Sequence, residues 1–115
     1  MSRSIYGDVH SRTALRAAFR EIRRDIGTAR SPSALQELYR RAGYVVSLTD
    51  EPSWQERFGE ELDDIRGLAS EEFARTTRAI NRRAEALGSD ARYDLRWSPA
   101  AHTHGAPREP THHPG

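Results

Sequence analysis

Histidines gather near the end of the chain. Four of the five lie within the last fourteen residues, as His102, His104, His112 and His113. Imidazole is a neutral ligand near pH 7 and suits borderline metal ions such as Ni²⁺, Cu²⁺ and Zn²⁺. The His-x-His pair and the adjacent pair therefore predict a weakly metal-binding tail, weak because ordering a flexible segment costs entropy. The simpler interpretation is an unselective polar tail without a cofactor, and we prefer it.

A run of carboxylates occupies the middle of the chain. Residues 50–72 hold nine acids and two arginines. Paired carboxylates can carry out acid–base chemistry or bind hard cations. No His, Lys or Cys accompanies them in this region, and the glycine spacing of a calcium loop is missing. The run is therefore predicted to be a helix face that is solvated or paired with arginine.

Catalytic motifs are absent from the sequence. It contains no Cys and no Lys, so thiolate sites, disulfides and Schiff-base chemistry are excluded. It also lacks a phosphate-binding glycine loop, a dinucleotide fingerprint and a zinc signature. No Glu-x-x-His pair of the kind found in di-iron bundles is present in the predicted helical region, residues 11–88. We therefore predict that the protein is not an enzyme.

Charge is sorted into blocks although the net charge is only +1. Residues 11–49 balance to +5, residues 50–72 to −7 and residues 73–88 to +3. An acidic arm that folds onto basic arms gains electrostatic complementarity, which fixes how the arms pair. The blocks thus predict helices packed with the acidic segment beside its basic flanks.

Apolar residues recur at helical spacing in three segments. The first helix is predicted over about 13–29, with Ser11 or the Asp8 region as its cap. Its apolar residues share one face: Leu15, Phe19, Ile22 and Ile26. Ser31 caps a second helix with Pro32 in its first turn. Residues 44–49 are rich in β-branched residues, but we favour helix because a lone strand has no partner.

A third, longer helix is predicted to start at the break over residues 49–53 and to end at Gly88. Asp50 or a Ser53–Glu56 capping box would start it, and Gly59 and Gly67 are predicted bend positions. The predicted fold is an all-α, three-helix antiparallel bundle with a long third helix and a disordered C-terminal tail. We divide the chain into a flexible segment (1–10), the helical bundle (11–88) and an extended, His- and Pro-rich tail (89–115).

Large apolar side chains are few for a chain of this length. Fifteen of the apolar residues are alanine, so the core is predicted to be marginal for a monomer. A second copy or a protein partner would supply the missing burial. Candidate contact residues are Trp54 and Phe58, which otherwise anchor the core, and Tyr93 and Trp97, which otherwise pack back on the bundle.

Other partners fit the sequence less well. Residues 35–44 superficially resemble the start of a helix-turn-helix, but the next helix would carry Asp50, Glu51 and Pro52, which repel phosphate and break the helix. A nucleic-acid-associated regulator is thus a second alternative, and we do not expect nucleic acid or membrane as partners. We predict a cytoplasmic accessory or adaptor protein that self-associates or binds a protein partner, with metal handling as the first alternative.

Overall fold

A computed structural model of the 115-residue chain describes residues 11–97. They form four helices, α1 (Arg12–Thr28), α2 (Pro32–Leu48), α3 (Pro52–Phe58) and α4 (Leu62–Ala86), with a 3₁₀ turn at Gly59–Glu61 between the last two. No strand occurs in this part of the chain, and the all-α fold is confirmed. The predicted flexible segment 1–10 and the tail beyond residue 97 lie outside the described residues.

Serine caps begin the first two helices. The Ser11 hydroxyl accepts a hydrogen bond from the Ala14 amide at 3.1 Å, and the Ser31 hydroxyl accepts one from the Ala34 amide at 3.2 Å. Each bond satisfies an amide that has no partner within its helix. Pro32 occupies the first helical position of α2, where a missing N–H is harmless. These starts agree with the sequence predictions.

The β-branched run at the end of α2 is helical. Val45, Val46 and Leu48 are all buried in the core. Their burial against α4 outweighs the weak strand preference of the segment, since such preferences mostly report packing context. The preference for helix over 44–49 is therefore confirmed.

The predicted third helix is divided at Gly59. This residue has φ +52°, a conformation that favours glycine because it has no Cβ. The chain turns there, and the long helix is α4, with 25 residues. Helix α3 begins after Glu51 without a side-chain cap, so the predicted caps by Asp50 or Ser53 are wrong.

The bundle runs up, down and up. Arg12 pairs with Glu61 and Arg23 with Glu72, so residue numbers rise together and α1 is parallel to α4. Helix α2 is antiparallel to α4, because the Tyr39 ring lies beside Phe73 whereas Arg66 contacts the Thr49 carbonyl. Consecutive long helices are thus antiparallel, as predicted.

The apolar side chains of the helices largely cover one another. Twenty-one apolar residues form one buried cluster. Among the described residues, the large hydrophobic side chains that remain exposed are Tyr44 and Leu95, at 43% and 38%. The expectation that the helices are too poor in apolar residues to cover one another is therefore not met. Buried Tyr93 also carries the packed unit beyond residue 88, the predicted end of the bundle domain.

Candidate interaction surfaces

The first predicted contact pair lies on α3 and faces the bundle. Trp54 is only 3% exposed, and Phe58 is half-buried beside it, with ring centroids 5.1 Å apart. The Arg57 guanidinium lies 5.8 Å from the Phe58 ring centroid. Trp54 is therefore a core anchor, and Phe58 is the member of the pair that a partner could reach.

The second predicted pair follows α4. Tyr93 is 6% exposed and its ring centroid lies 4.6 Å from that of Tyr39. Trp97 is half-buried and packs against the same core. The segment after α4 thus returns to the bundle, and it buries Tyr93 instead of presenting it to a partner.

Asn81 holds this returning segment in place. Its side-chain oxygen accepts from the Tyr93 amide at 2.7 Å, and its side-chain nitrogen donates to the Tyr93 carbonyl at 3.0 Å. One amide side chain therefore satisfies both backbone groups of one residue. Sequence reasoning missed Asn81, because its partner is backbone and no side-chain pattern marks it.

The two buried phenols remain neutral. Burial raises the pKa of Tyr39 from 10.0 to about 12, and the nearby charge of Asp94 adds to the effect. Its hydroxyl donates to the Asp94 carbonyl at 3.2 Å. Burial also raises the pKa of Tyr93. Both groups are protonated near neutral pH, which suits a structural role and not proton transfer.

All four predicted metal ligands, His102, His104, His112 and His113, lie outside the described residues. Residues 11–97 contain no histidine, and no group of three or more acidic residues there is arranged to hold a metal ion. The metal prediction for the tail stays a prediction.

Charge pairing between the acidic segment and α1 is concentrated at one place. The Arg23 guanidinium is 2.7 Å from the Glu72 carboxylate and 3.1 Å from the Thr76 hydroxyl. Both charged side chains are mostly buried, at 23% and 12% exposure. The Arg12–Glu61 pair is longer, at 3.8 Å, and exposed. The predicted attraction between the blocks is thus realised mainly by one pair.

Most charges on the solvent side of α4 lie outside any ion pair. We call this surface the outer face of α4. It consists of exposed residues at spacings of three, four and seven, with half-buried Ala74 between them: Asp64, Glu71, Ala74, Arg75, Arg78 and Arg82. Within residues 11–97 none of its charged members has an ion partner. Its charges are acidic at positions 64 and 71 and basic at 75, 78 and 82, and exposed Glu85, seven residues after Arg78, adds an acid at the end of the helix.

A shallow depression marks the centre of this outer face. It measures about 480 Å³ and is lined by Glu71, Glu72, Ala74, Arg75 and Arg78. The sign change from Glu71 to Arg75 takes place across it. The charge blocks of the sequence contained this signal, but only the helix phase shows that these charges share one face.

A second depression, of about 400 Å³, lies where α1 turns into α2. Arg41 there contacts Asp25 at 3.7 Å and Glu37 at 3.7 Å. These charges are already matched within the chain. The groove therefore offers less unsatisfied charge to a partner than the outer face of α4 does.

Within residues 11–97 no helix is both long and apolar enough to cross a membrane. Comparison with known proteins adds no assignment. No protein-family model matches the chain, and neither a curated protein nor a solved structure shows a significant similarity to it.

Proposed function

We propose that this protein is a non-catalytic accessory or adaptor protein that acts by binding another protein molecule, either a second copy or a different partner. The observation that carries the proposal is the outer face of α4. Its five charged side chains are exposed, share one stripe and have no ion partner in the described part of the chain. Fixed charges on a rigid helix select complementary partners and reject those of like charge.

A binding partner is expected because of exposed charge, and not because of the poor apolar core that the sequence suggested. A poor core would have required apolar contact, yet the apolar residues are largely buried within the chain. Association is therefore expected to depend on charge, with Phe58 and Tyr44 as accessory apolar contacts. Contacts of this kind are weaker and respond to salt, because exposed charges are screened.

Sedimentation velocity over a range of micromolar concentrations tests self-association directly. We expect association at low ionic strength that declines in about 0.5 M salt, where the Debye length falls to a few ångströms. A different protein partner would instead be recovered by affinity capture from the native host. Its binding should weaken when Arg75, Arg78 and Arg82 are replaced by glutamine, and a partner that binds the triple variant equally well contradicts the use of this face.

Metal handling by His102, His104, His112 and His113 remains the alternative. Titration calorimetry with Ni²⁺, Cu²⁺ and Zn²⁺ distinguishes it, using the intact chain and a variant in which these four residues are alanine. Equal heats in both would exclude the tail as the binding site.

A further inference from the structure

We infer that the outer face of α4 is a two-fold contact between two copies of this chain, in which the α4 helices pack antiparallel with the symmetry axis near position 73. This inference rests on the proposed function, because it specifies the second copy as the partner. A two-fold contact uses the same patch on both subunits, so the patch must be complementary to itself.

The charges of the outer face meet that requirement at one register. Asp64 and Arg82 lie nine residues before and after position 73, and Glu71 and Arg75 lie two before and after it. An antiparallel pair of α4 helices centred there places Asp64 opposite Arg82 of the other copy, and Glu71 opposite Arg75. Because the contact is symmetric, each of these pairs occurs twice.

The parallel arrangement is disfavoured by the same charges. It would place acidic half against acidic half and basic half against basic half, and like charges on neighbouring helices repel. The change of sign from Glu71 to Arg75 on the outer face of α4 therefore favours one direction of pairing as well as one register.

The shape of the face suits a close approach of two helices. The depression at its centre is lined by small Ala74 together with Glu71 and Arg75. Gly67, six residues before position 73, has open space where a Cβ would be. Small residues between the charged ones let helix axes approach to about 8–10 Å.

The charges are also available for this contact. Glu71 and Arg75 are four residues apart, a spacing at which they could pair within the helix. They do not pair in the structure, and both are exposed. An anion such as a nucleic acid would be attracted to the arginines alone and repelled by Asp64 and Glu71, whereas a second copy offers Arg82 and Arg75 to these two acids.

Charge reversal tests the register. Asp64→Arg and Arg82→Glu each place like charges opposite one another in a homodimer, so each variant alone should dimerise at least tenfold more weakly than the unmodified chain. Mixed in equal amounts, they restore opposite charges at both positions and should form a heterodimer. Sedimentation velocity at low ionic strength measures all three samples, and circular dichroism verifies that each variant is folded.

A matched control changes the same charges elsewhere. Arg20→Glu on α1 and Glu56→Arg on α3 alter exposed residues that have no ion partner in the described chain. Both should dimerise like the unmodified chain. If they weaken association as much as the α4 variants, net charge and not the α4 register controls it, and the inference is overturned.

The other outcomes separate the inference from the proposed function. An unmodified chain that stays monomeric at low ionic strength overturns the dimer and removes self-association from the proposed function, leaving only a different partner. An unmodified chain that associates while the α4 variants associate equally well overturns the α4 contact alone. The α4 contact alone is also overturned if the unmodified chain associates but the mixed single variants fail to pair.

Crosslinking provides a second, independent test of the register of the α4 contact. Because the chain has no cysteine, Ala74→Cys introduces a single thiol beside the axis, and a short bis-maleimide should link two copies. Asp63→Cys lies ten residues from the axis, so its two thiols would be roughly 30 Å apart in the dimer at about 1.5 Å per residue. Equal crosslinking of both variants contradicts the register.

Discussion

The two flanks of α4 are held by different interactions. On the α1 side lies what we call the charged seam, formed by Arg23, Glu72 and Thr76, with the Arg83 side chain donating to the Ala29 carbonyl at 2.9 Å. On the α2 side lies the aromatic seam. It consists of three rings in tilted contact and the amide that holds the returning segment: Tyr39, Phe73, Tyr93 and Asn81.

The two seams are therefore expected to contribute differently, the charged one to the alignment of the helices and the aromatic one to their stability. Apolar rings contribute large burial but tolerate some sliding, whereas a charged pair has one best partner. The Arg23–Glu72 pair fixes the register of α1 against α4. We expect the rings of the aromatic seam to contribute more to the stability of α4 and the segment after it than the charged pair does.

Removing the central ring of the aromatic seam should have the largest effect. Phe73 is 1% exposed and its ring centroid lies 5.5 Å from that of Tyr39. We expect Phe73→Ala to lower the free energy of unfolding by about 3–5 kcal/mol, through lost burial and a cavity. Urea denaturation measures it, with Phe58→Ala as the half-buried control. A loss at Phe73 no greater than at Phe58 would contradict the importance of this seam.

Alkaline pH should reduce the stability that the aromatic seam contributes and leave the contribution of the charged seam unchanged. The pKa of Tyr39 is raised from 10.0 to about 12 in the folded chain, so its neutral form favours folding. That stability is complete below pH 10 and is lost as pH rises toward 12, by about 2–3 kcal/mol at ~1.4 kcal/mol per pKa unit. Arginine keeps its charge over this range.

Denaturation at pH 9, 10 and 11 measures this slope. In Tyr39→Phe the decline should be shallower, because that phenol no longer titrates. Parallel curves for the unmodified chain and Tyr39→Phe would show that burial of the Tyr39 phenol does not control the alkaline limit.

Breaking the charged seam should cost less. Arg23→Met or Glu72→Gln leaves one charge of a mostly buried pair without its partner. We expect about 1–2 kcal/mol for either change, below the range for fully buried pairs because Arg23 remains 23% exposed.

A double-mutant cycle isolates the coupling between these two residues, which we expect to be about 1 kcal/mol. The exposed Arg24–Glu21 pair, at 3.2 Å, serves as the control and should give less than about 0.5 kcal/mol. Equal coupling energies for the two pairs would mean that partial burial of the Arg23–Glu72 pair adds nothing.

The sequence predicted the elements of this fold better than its contacts. Local signals such as Ser11, Ser31 and Pro32 locate helix starts, because capping depends on neighbouring residues. The break at Gly59 was foreseen only as a bend, since the +52° φ depends on where α3 packs. That Tyr93 packs back on the bundle was one of two expectations, but its backbone contact with Asn81 was not foreseen, because a side-chain-to-backbone contact across twelve residues leaves no pattern in residue types.

The outer face of α4 was predictable from the sequence only in part. The charge blocks were visible in the sequence, and they were interpreted as intramolecular attraction. Because α1 runs parallel to α4, the acidic half of α4 lies beside the arginines of α1, yet helix phase turns Asp64 and Glu71 away from them. Sequence predicts the sign of each block, and only the packed helix tells which charges are left for a partner.

The smallest expected effect distinguishes the seams at two adjacent threonines. Thr76 and Thr77 are both fully buried. The Thr76 hydroxyl accepts from Arg23, whereas the Thr77 hydroxyl, one turn from both Phe73 and Asn81, has no hydrogen-bond partner among residues 11–97. A buried hydroxyl without a partner is costly, and valine has nearly the same shape.

Thr77→Val should therefore raise the free energy of unfolding by about 1 kcal/mol, and Thr76→Val should lower it by about 1 kcal/mol, as measured by urea denaturation. Both variants replace a threonine hydroxyl by a methyl group at neighbouring positions of one helix. If the free energy of unfolding rises in one and falls in the other, only the Thr76 hydroxyl, on the charged seam, makes a stabilising polar contact. A loss of stability in both variants would mean that Thr77 has a partner in solution and that the two seams share their polar contacts.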